Sequence, residues 1–141
     1  MPSPNDLILI GILLLALVTV ESGGYFLTRV VRGHVPVNSL QQGFFRAGHA
    51  HAAVLLVLSI AILAVIDHAA LDGFWLWLAR VGVPIAAILM PAGFFLSVLG
   101  KNPERPNRLL VLLWIGVVSL TAALITAGIG LIAGGVAALG G

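Results

Sequence analysis

The chain has no cysteine among its 141 residues, which excludes a disulfide framework, a thiolate metal site, a cysteine nucleophile and an S-palmitoyl anchor. Charge is nearly as scarce: 9% of residues are Asp, Glu, Lys or Arg, five acidic against seven basic. No blocky basic tract of the nucleic-acid type is present, so nucleic acid is not an expected partner. Nothing has the form of a phosphate-cradling glycine loop or a hydrolase elbow, so any chemistry is expected in or at a membrane. The opening segment Met1-Pro2-Ser3-Pro4-Asn5-Asp6 lacks the basic region of a secretory signal. The apolar run after it is too long for a signal core, and it reads as a first transmembrane helix retained in the mature protein.

What is present is apolar. With 60% hydrophobic residues and a mean hydropathy of +1.16, the chain has too little polar surface to cover a soluble globule. A helix needs about 20 apolar residues to cross roughly 30 Å of hydrocarbon. Four stretches qualify, at about 7–30, 43–67, 74–99 and 108–136. They are continuous rather than alternating, which argues against a strand barrel. Turn signals at Pro36 and Asn38, from Asp67 to Gly73 and from Lys101 to Asn107 make the connections short and consecutive helices antiparallel neighbours. The expected fold is all-α, a polytopic integral membrane four-helix bundle with up-down-up-down topology, forming a single transmembrane domain over residues 1–141.

The basic residues orient it. Arg29, Arg32 and Arg46 flank the first loop and Lys101, Arg105 and Arg108 the third, leaving Arg80 alone on the other side. The positive-inside bias then places loops 1 and 3 in the cytoplasm and both termini outside, in a cytoplasmic membrane. Trp75 and Trp77 near Arg80 read as an outer interfacial belt and Trp114 as an inner one. His34, His68, Asp67 and Asp72 read as solvated loop residues. In the fourth span, Ala123, Ala127, Gly130 and Gly134 offer either a homo-oligomer seam or close contact within the bundle.

Polar residues inside the spans are the functional candidates, because an ionisable side chain in hydrocarbon costs roughly 2.5–3.5 kcal/mol on insertion scales. Glu21, His49 and His51 lie roughly 10–14 Å from the basic end at 1.5 Å per residue, and so at one depth. Glu21, Tyr25, Thr28 and Arg32 share one face of helix 1, reading as a lined approach or as a hydrogen-bonded interior face. His49 and His51 are about 200° apart on a regular helix, so two separate environments follow unless the backbone unwinds near Gly48. An imidazole can ligate a transition metal or haem iron through one nitrogen while a carboxylate orients the other. His49, His51 and Glu21 are therefore the candidate metal ligands, with Arg46 as counter-charge for an anionic group. Met90, beside Pro91, offers a thioether or simple packing.

Through Arg46-Ala47 at the start of helix 2, its length, its four spans, a basic first loop and a Pro- and Arg-containing third loop, the chain resembles the membrane-associated proteins in eicosanoid and glutathione metabolism. The resemblance implies a trimeric four-helix scaffold with a cytoplasmic-side site for glutathione. Of that family's Arg-Ala-x-x-Asn-x-x-Glu pattern only Arg46 carries over, since Ala50 and Ala53 stand at the Asn and Glu positions. The His-x-His of His49 and His51 is similar to the pair that a haem–copper oxidase helix presents on opposite faces, as a geometric analogy.

Three functions are thus expected. The first is a small membrane protein, oligomeric with itself, with a Glu21/His49/His51 site in its cytoplasmic half that binds a metal or haem or handles protons. The second is a transferase using glutathione or another thiol, held near Arg46 and activated by Tyr25, the one tyrosine. The third is an accessory subunit of a larger membrane complex, in which the same residues are structural.

Overall fold

A computed structural model describes residues 1–140; residue 141 of the expected single domain lies outside them. The described residues form four long helices, α1 (Pro4–Val31), α2 (Ser39–Val65), α3 (Gly73–Ser97) and α4 (Val111–Leu139). Single 3-10 turns lie at Ile66–His68 and Arg108–Leu110, and no strand is present among the described residues. Each helix is long and apolar enough to cross a membrane.

Local chemistry sets the helix ends and moves several from their expected places. Ser3 caps α1, its Oγ accepting from the Asp6 backbone N–H, with Pro4 in the first turn, where a missing N–H costs nothing. The helix therefore begins earlier than residue 7. Its other end closes on Gly33 at φ +73°. There Gly33 N–H donates to Val30 O and His34 N–H to Arg29 O, the paired bonds that a left-handed residue permits. Helix α2 starts at Ser39 rather than 43, because Asn38 and Gln41 form a reciprocal capping box. With its preceding 3-10 turn, α4 starts where expected and runs on to Leu139.

Hydrogen bonds between helix ends and loops tie the four helices together. At one end, which we call the basic end, Gln41 Nε2 donates to Val98 O (3.0 Å) and Gly100 O (3.1 Å), tying the start of α2 to the end of α3. Asn38 Nδ2 donates to Pro103 O (2.7 Å) and Asn107 Nδ2 to Leu96 O (2.9 Å), which fastens the third loop down. At the opposite end the Ala70 N–H donates to Gly130 O (2.9 Å), joining the second loop to α4.

Packing runs chiefly in sequence, α1 on α2, α2 on α3 and α3 on α4, the last contact being the most extensive. The main core gathers Leu13, Leu55, Leu56, Leu63, Ala86, Ala87 and Met90 from α1, α2 and α3. Missing side chains bring α3 and α4 close. A Cβ on Gly82 would sit 2.6 Å from the Ala123 Cβ, and one on Gly116 2.5 Å from Met90 Cγ. Met90 is therefore a packing residue seated in a glycine notch. The α4 stripe is likewise spent within the chain, since Gly130 faces Leu71 and Gly134 faces the His68 carbonyl. Of the two readings of that stripe, the fold uses it for internal contact rather than leaving it as an outward seam.

A Cβ on Gly93 would collide with the Leu113 backbone, whereas one on Gly11 meets nothing within 4 Å. We expect Gly93→Ala to destabilise the chain by about 1–3 kcal/mol. Gly11→Ala should be neutral or stabilising by up to about 1 kcal/mol. Thermal unfolding in detergent compares the two.

Candidate functional site

The structure distributes the ionisable residues of the spans among four places. One of these was not anticipated. Asp6, 2% exposed, lies 3.0 Å from an Arg80 guanidinium nitrogen, and Asp67 lies 2.7 Å from the same nitrogen. The cluster joins the start of α1, the end of α2 and the second turn of α3. Ser3 Oγ also donates to Asp6 Oδ2 at 2.6 Å. Asp67 is exposed, as a solvated loop residue is, and in addition pairs with Arg80. The sequence signal was available: Arg80 is the lone cation at an end that holds three carboxylates, Asp6, Asp67 and Asp72. Trp75, Trp77 and Trp114 are exposed near helix ends, as an interfacial belt requires.

The histidines occupy two environments, on either side of an unbroken α2. Gly48, just before them, is buried, and a Cβ there would stand 2.9 Å from the Phe95 ring and 3.0 Å from Phe94 Cβ. This residue admits α3 rather than unwinding α2. His51 lies on that side, its Nδ1 2.8 Å from Ala47 O in the preceding turn. Its ring centroid is 5.0 Å from that of Phe94. His49 points the other way, onto α1, where Gly23 and Gly24 vacate the room for its ring. A Cβ on Gly23 would be 3.1 Å from Nδ1, and one on Gly24 3.6 Å from Cε1.

Glu21 joins neither histidine. It is exposed on the outward surface of α1 together with Tyr25, which is 70% exposed. No three His, Asp or Glu side chains among the described residues group to hold a metal ion. The expected Glu21/His49/His51 ligand set is therefore not assembled within one chain. A shared depth says nothing of azimuth: Glu21 faces out, His49 faces α1 and His51 faces α3. The polar stripe is likewise an outward face in its Glu21–Tyr25 part, not an interior one.

What the fold does assemble is a groove between α1 and α2 at the basic end, of ≈ 450 Å³. Gly24, Leu27, Thr28, Val31 and Arg32 line it from α1, and Arg46 and His49 from α2. Two guanidinium-bearing residues and an imidazole thus share one cleft, and no carboxylate lines it. Among the described residues Arg32 and Arg46 form no salt bridge and the His49 ring has no hydrogen-bond partner; the ion pairs present are those of Arg80. Tyr25 does not line this groove, so the expected pairing of Tyr25 with Arg46 about a thiol is not formed in one chain either. Arg32 was noted as a loop-flanking cation and as one end of a stripe; its conjunction with His49 depends on how α1 leans on α2.

By its fold the chain belongs with α-helical proteins whose four helices are each able to cross a bilayer. No protein family, characterised protein or solved structure matches it. The resemblance drawn from Arg46-Ala47 therefore rests on the sequence features already given.

The Asp6 cluster yields a test. Replacing Arg80 by Ala leaves Asp6 buried without a counter-charge, and we expect a loss of about 3 kcal/mol. Asp67→Ala keeps the Asp6–Arg80 pair and should cost less than half as much. Thermal unfolding of both variants in detergent measures the ratio.

Proposed function

We propose that the chain is a small multi-pass protein of the cytoplasmic membrane that binds an amphiphilic ligand with an anionic head in the groove between α1 and α2. The termini lie outside and the groove opens in the cytoplasmic leaflet, because both basic loops belong on the cytoplasmic side. The observation that carries the reading is the lining: Arg32, Arg46 and His49 converge on one cleft that no carboxylate lines.

The physical case follows from placement. Basic pockets between transmembrane helices on the cytoplasmic side suit lipid head groups, and each Arg near the surface contributes about 1 kcal/mol of attraction to an anion. Leu27 and Val31 offer the apolar wall that a chain or ring would cover. Arg46 lies about 4.5 Å along α2 on the basic side of His49. An anionic head at the guanidinium groups thus leaves the body of the ligand beside the imidazole. His49 is then able to take a proton from the ligand or to ligate an iron it carries, which retains proton handling and haem binding from the expected functions and assigns both to one histidine. The fold gives no comparable support to the thiol-transferase reading.

The test is a binding titration of the purified protein in neutral detergent with anionic phospholipid, haemin and a zwitterionic phospholipid. Saturable binding of an anionic probe, weakened about tenfold or more by Arg32→Gln/Arg46→Gln, is the expected result. A Soret shift lost in His49→Ala makes the ligand haem, whereas phospholipid binding without a haemin response makes it a lipid head. If neither anionic probe binds better than the zwitterionic lipid, the proposal fails.

A further inference from the structure

The outward surface of the molecule is ordinary membrane surface almost everywhere. Ile115, Val118, Ile125, Ile129, Ile132 and Val136 cover α4, and the first half of α1 shows Leu7, Ile8, Ile12, Leu14, Leu15 and Val18. The second half of α1 breaks this pattern. Thr19, Glu21, Ser22, Tyr25 and Thr28 are all exposed there. The Thr19, Ser22 and Thr28 hydroxyls are satisfied within their own helix, donating to Ala16 O, Thr19 O and Tyr25 O, each at 2.6 Å. The Glu21 carboxyl has no such recourse. A side chain of this kind facing lipid is costly, and in transmembrane helices such groups face protein or a water-filled cavity. Something polar covers this face.

The same chain presents a complementary group on its other flank. His51 is half-buried on the side of α2 away from α1. Its Nδ1 is occupied by the Ala47 carbonyl, which leaves Nε2 as the free position of the ring. The depths agree by an internal marker. His49 touches α1 at Gly23, and Glu21 and His51 each stand two residues beyond that contact, away from the basic end. Both are thus about 3 Å farther from it. They lie on opposite flanks of one molecule and cannot reach one another within it.

We propose that a second copy of this chain covers the polar face of α1, with Glu21 of one copy meeting His51 of the next. The occupant is a second copy because the chain itself supplies the matching group, at the matching depth, on a surface that its own α1 leaves open. Copies in a membrane share one orientation, so depth within the chain is depth in the partner. The contact joins two different patches and is therefore head-to-tail, of the kind that closes into a ring. The small and hydroxylated residues around Glu21 allow close helix approach. This inference is independent of what the α1–α2 groove binds and needs only that the helices span the bilayer.

The absence of native cysteine makes the test clean. Glu21→Cys and His51→Cys proteins, carrying different tags, are reconstituted into liposomes alone and mixed, then treated with a short bifunctional thiol crosslinker. The expected result is a mixed crosslinked dimer in the mixture, none in either variant alone, and a ladder of higher species from the chain carrying both substitutions. Absence of the mixed dimer overturns the proposal, as does crosslinking of the Glu21→Cys protein to itself, which would signify a symmetric α1–α1 contact. As a second readout, native mass spectrometry should find more than one chain per particle. Glu21→Leu and His51→Leu should each raise the dissociation constant at least tenfold while leaving helicity unchanged. A monomeric parent chain in liposomes and in mild detergent also overturns it.

Discussion

An apolar environment cannot hydrogen-bond, and that constraint governs every part of this molecule. It forces the backbone into helices that satisfy their own N–H and C=O groups. It then leaves each polar side chain in a span with three options: pair within the chain, reach the surface, or be covered by something else. Arg80 takes the first with Asp6 and Asp67. Arg32 and Arg46 take the second, lining a groove at the basic end. His51 is half-way, with one nitrogen held by its own helix, and Glu21 has neither a partner within the chain nor a place at a helix end.

The two ends of the molecule differ accordingly. At the Arg80 end, an ion cluster, the Leu71 contact with Gly130 and the Ala70–Gly130 hydrogen bond draw all four helices together. At the basic end, Gln41, Asn38 and Asn107 fasten α2, α3 and the third loop, but α1 is held there mainly by His49 in its glycine notch and by Phe26 against Phe45. The groove between α1 and α2 lies at this end. That cleft is where the cationic side chains gather.

Histidine spacing and glycine placement act together in this division. Two residues apart on a regular helix, His49 and His51 face opposite ways by geometry alone. Gly48 keeps α2 regular by letting Phe94 and Phe95 come close, while Gly23 and Gly24 receive the His49 ring. Side chains at Gly23 and Gly24 would push against the His49 ring, and one at Gly48 against Phe94 and Phe95. With these glycines, α2 is a partition that gives one histidine to the α1 groove and the other to the α3 flank.

The sequence by itself determined the four helices and the opposite facing of the two histidines, and from it came the expectations of antiparallel neighbours and of one depth for Glu21 and the histidines. All of these follow from hydropathy, turn residues and the 3.6-residue repeat, which are local. It also contained the helix caps at Ser3 and Asn38, although hydropathy alone drew the starts of the first two spans too far inward. Only the tertiary structure decided azimuth: which neighbour each face meets depends on how each helix is rotated against the next, and that is set by the sum of many side-chain contacts. For this reason Glu21, His49 and His51 could be placed at one level but not in one cluster. Asp6, remote in sequence from Asp67 and Arg80, is joined to them only once the helix ends have come together.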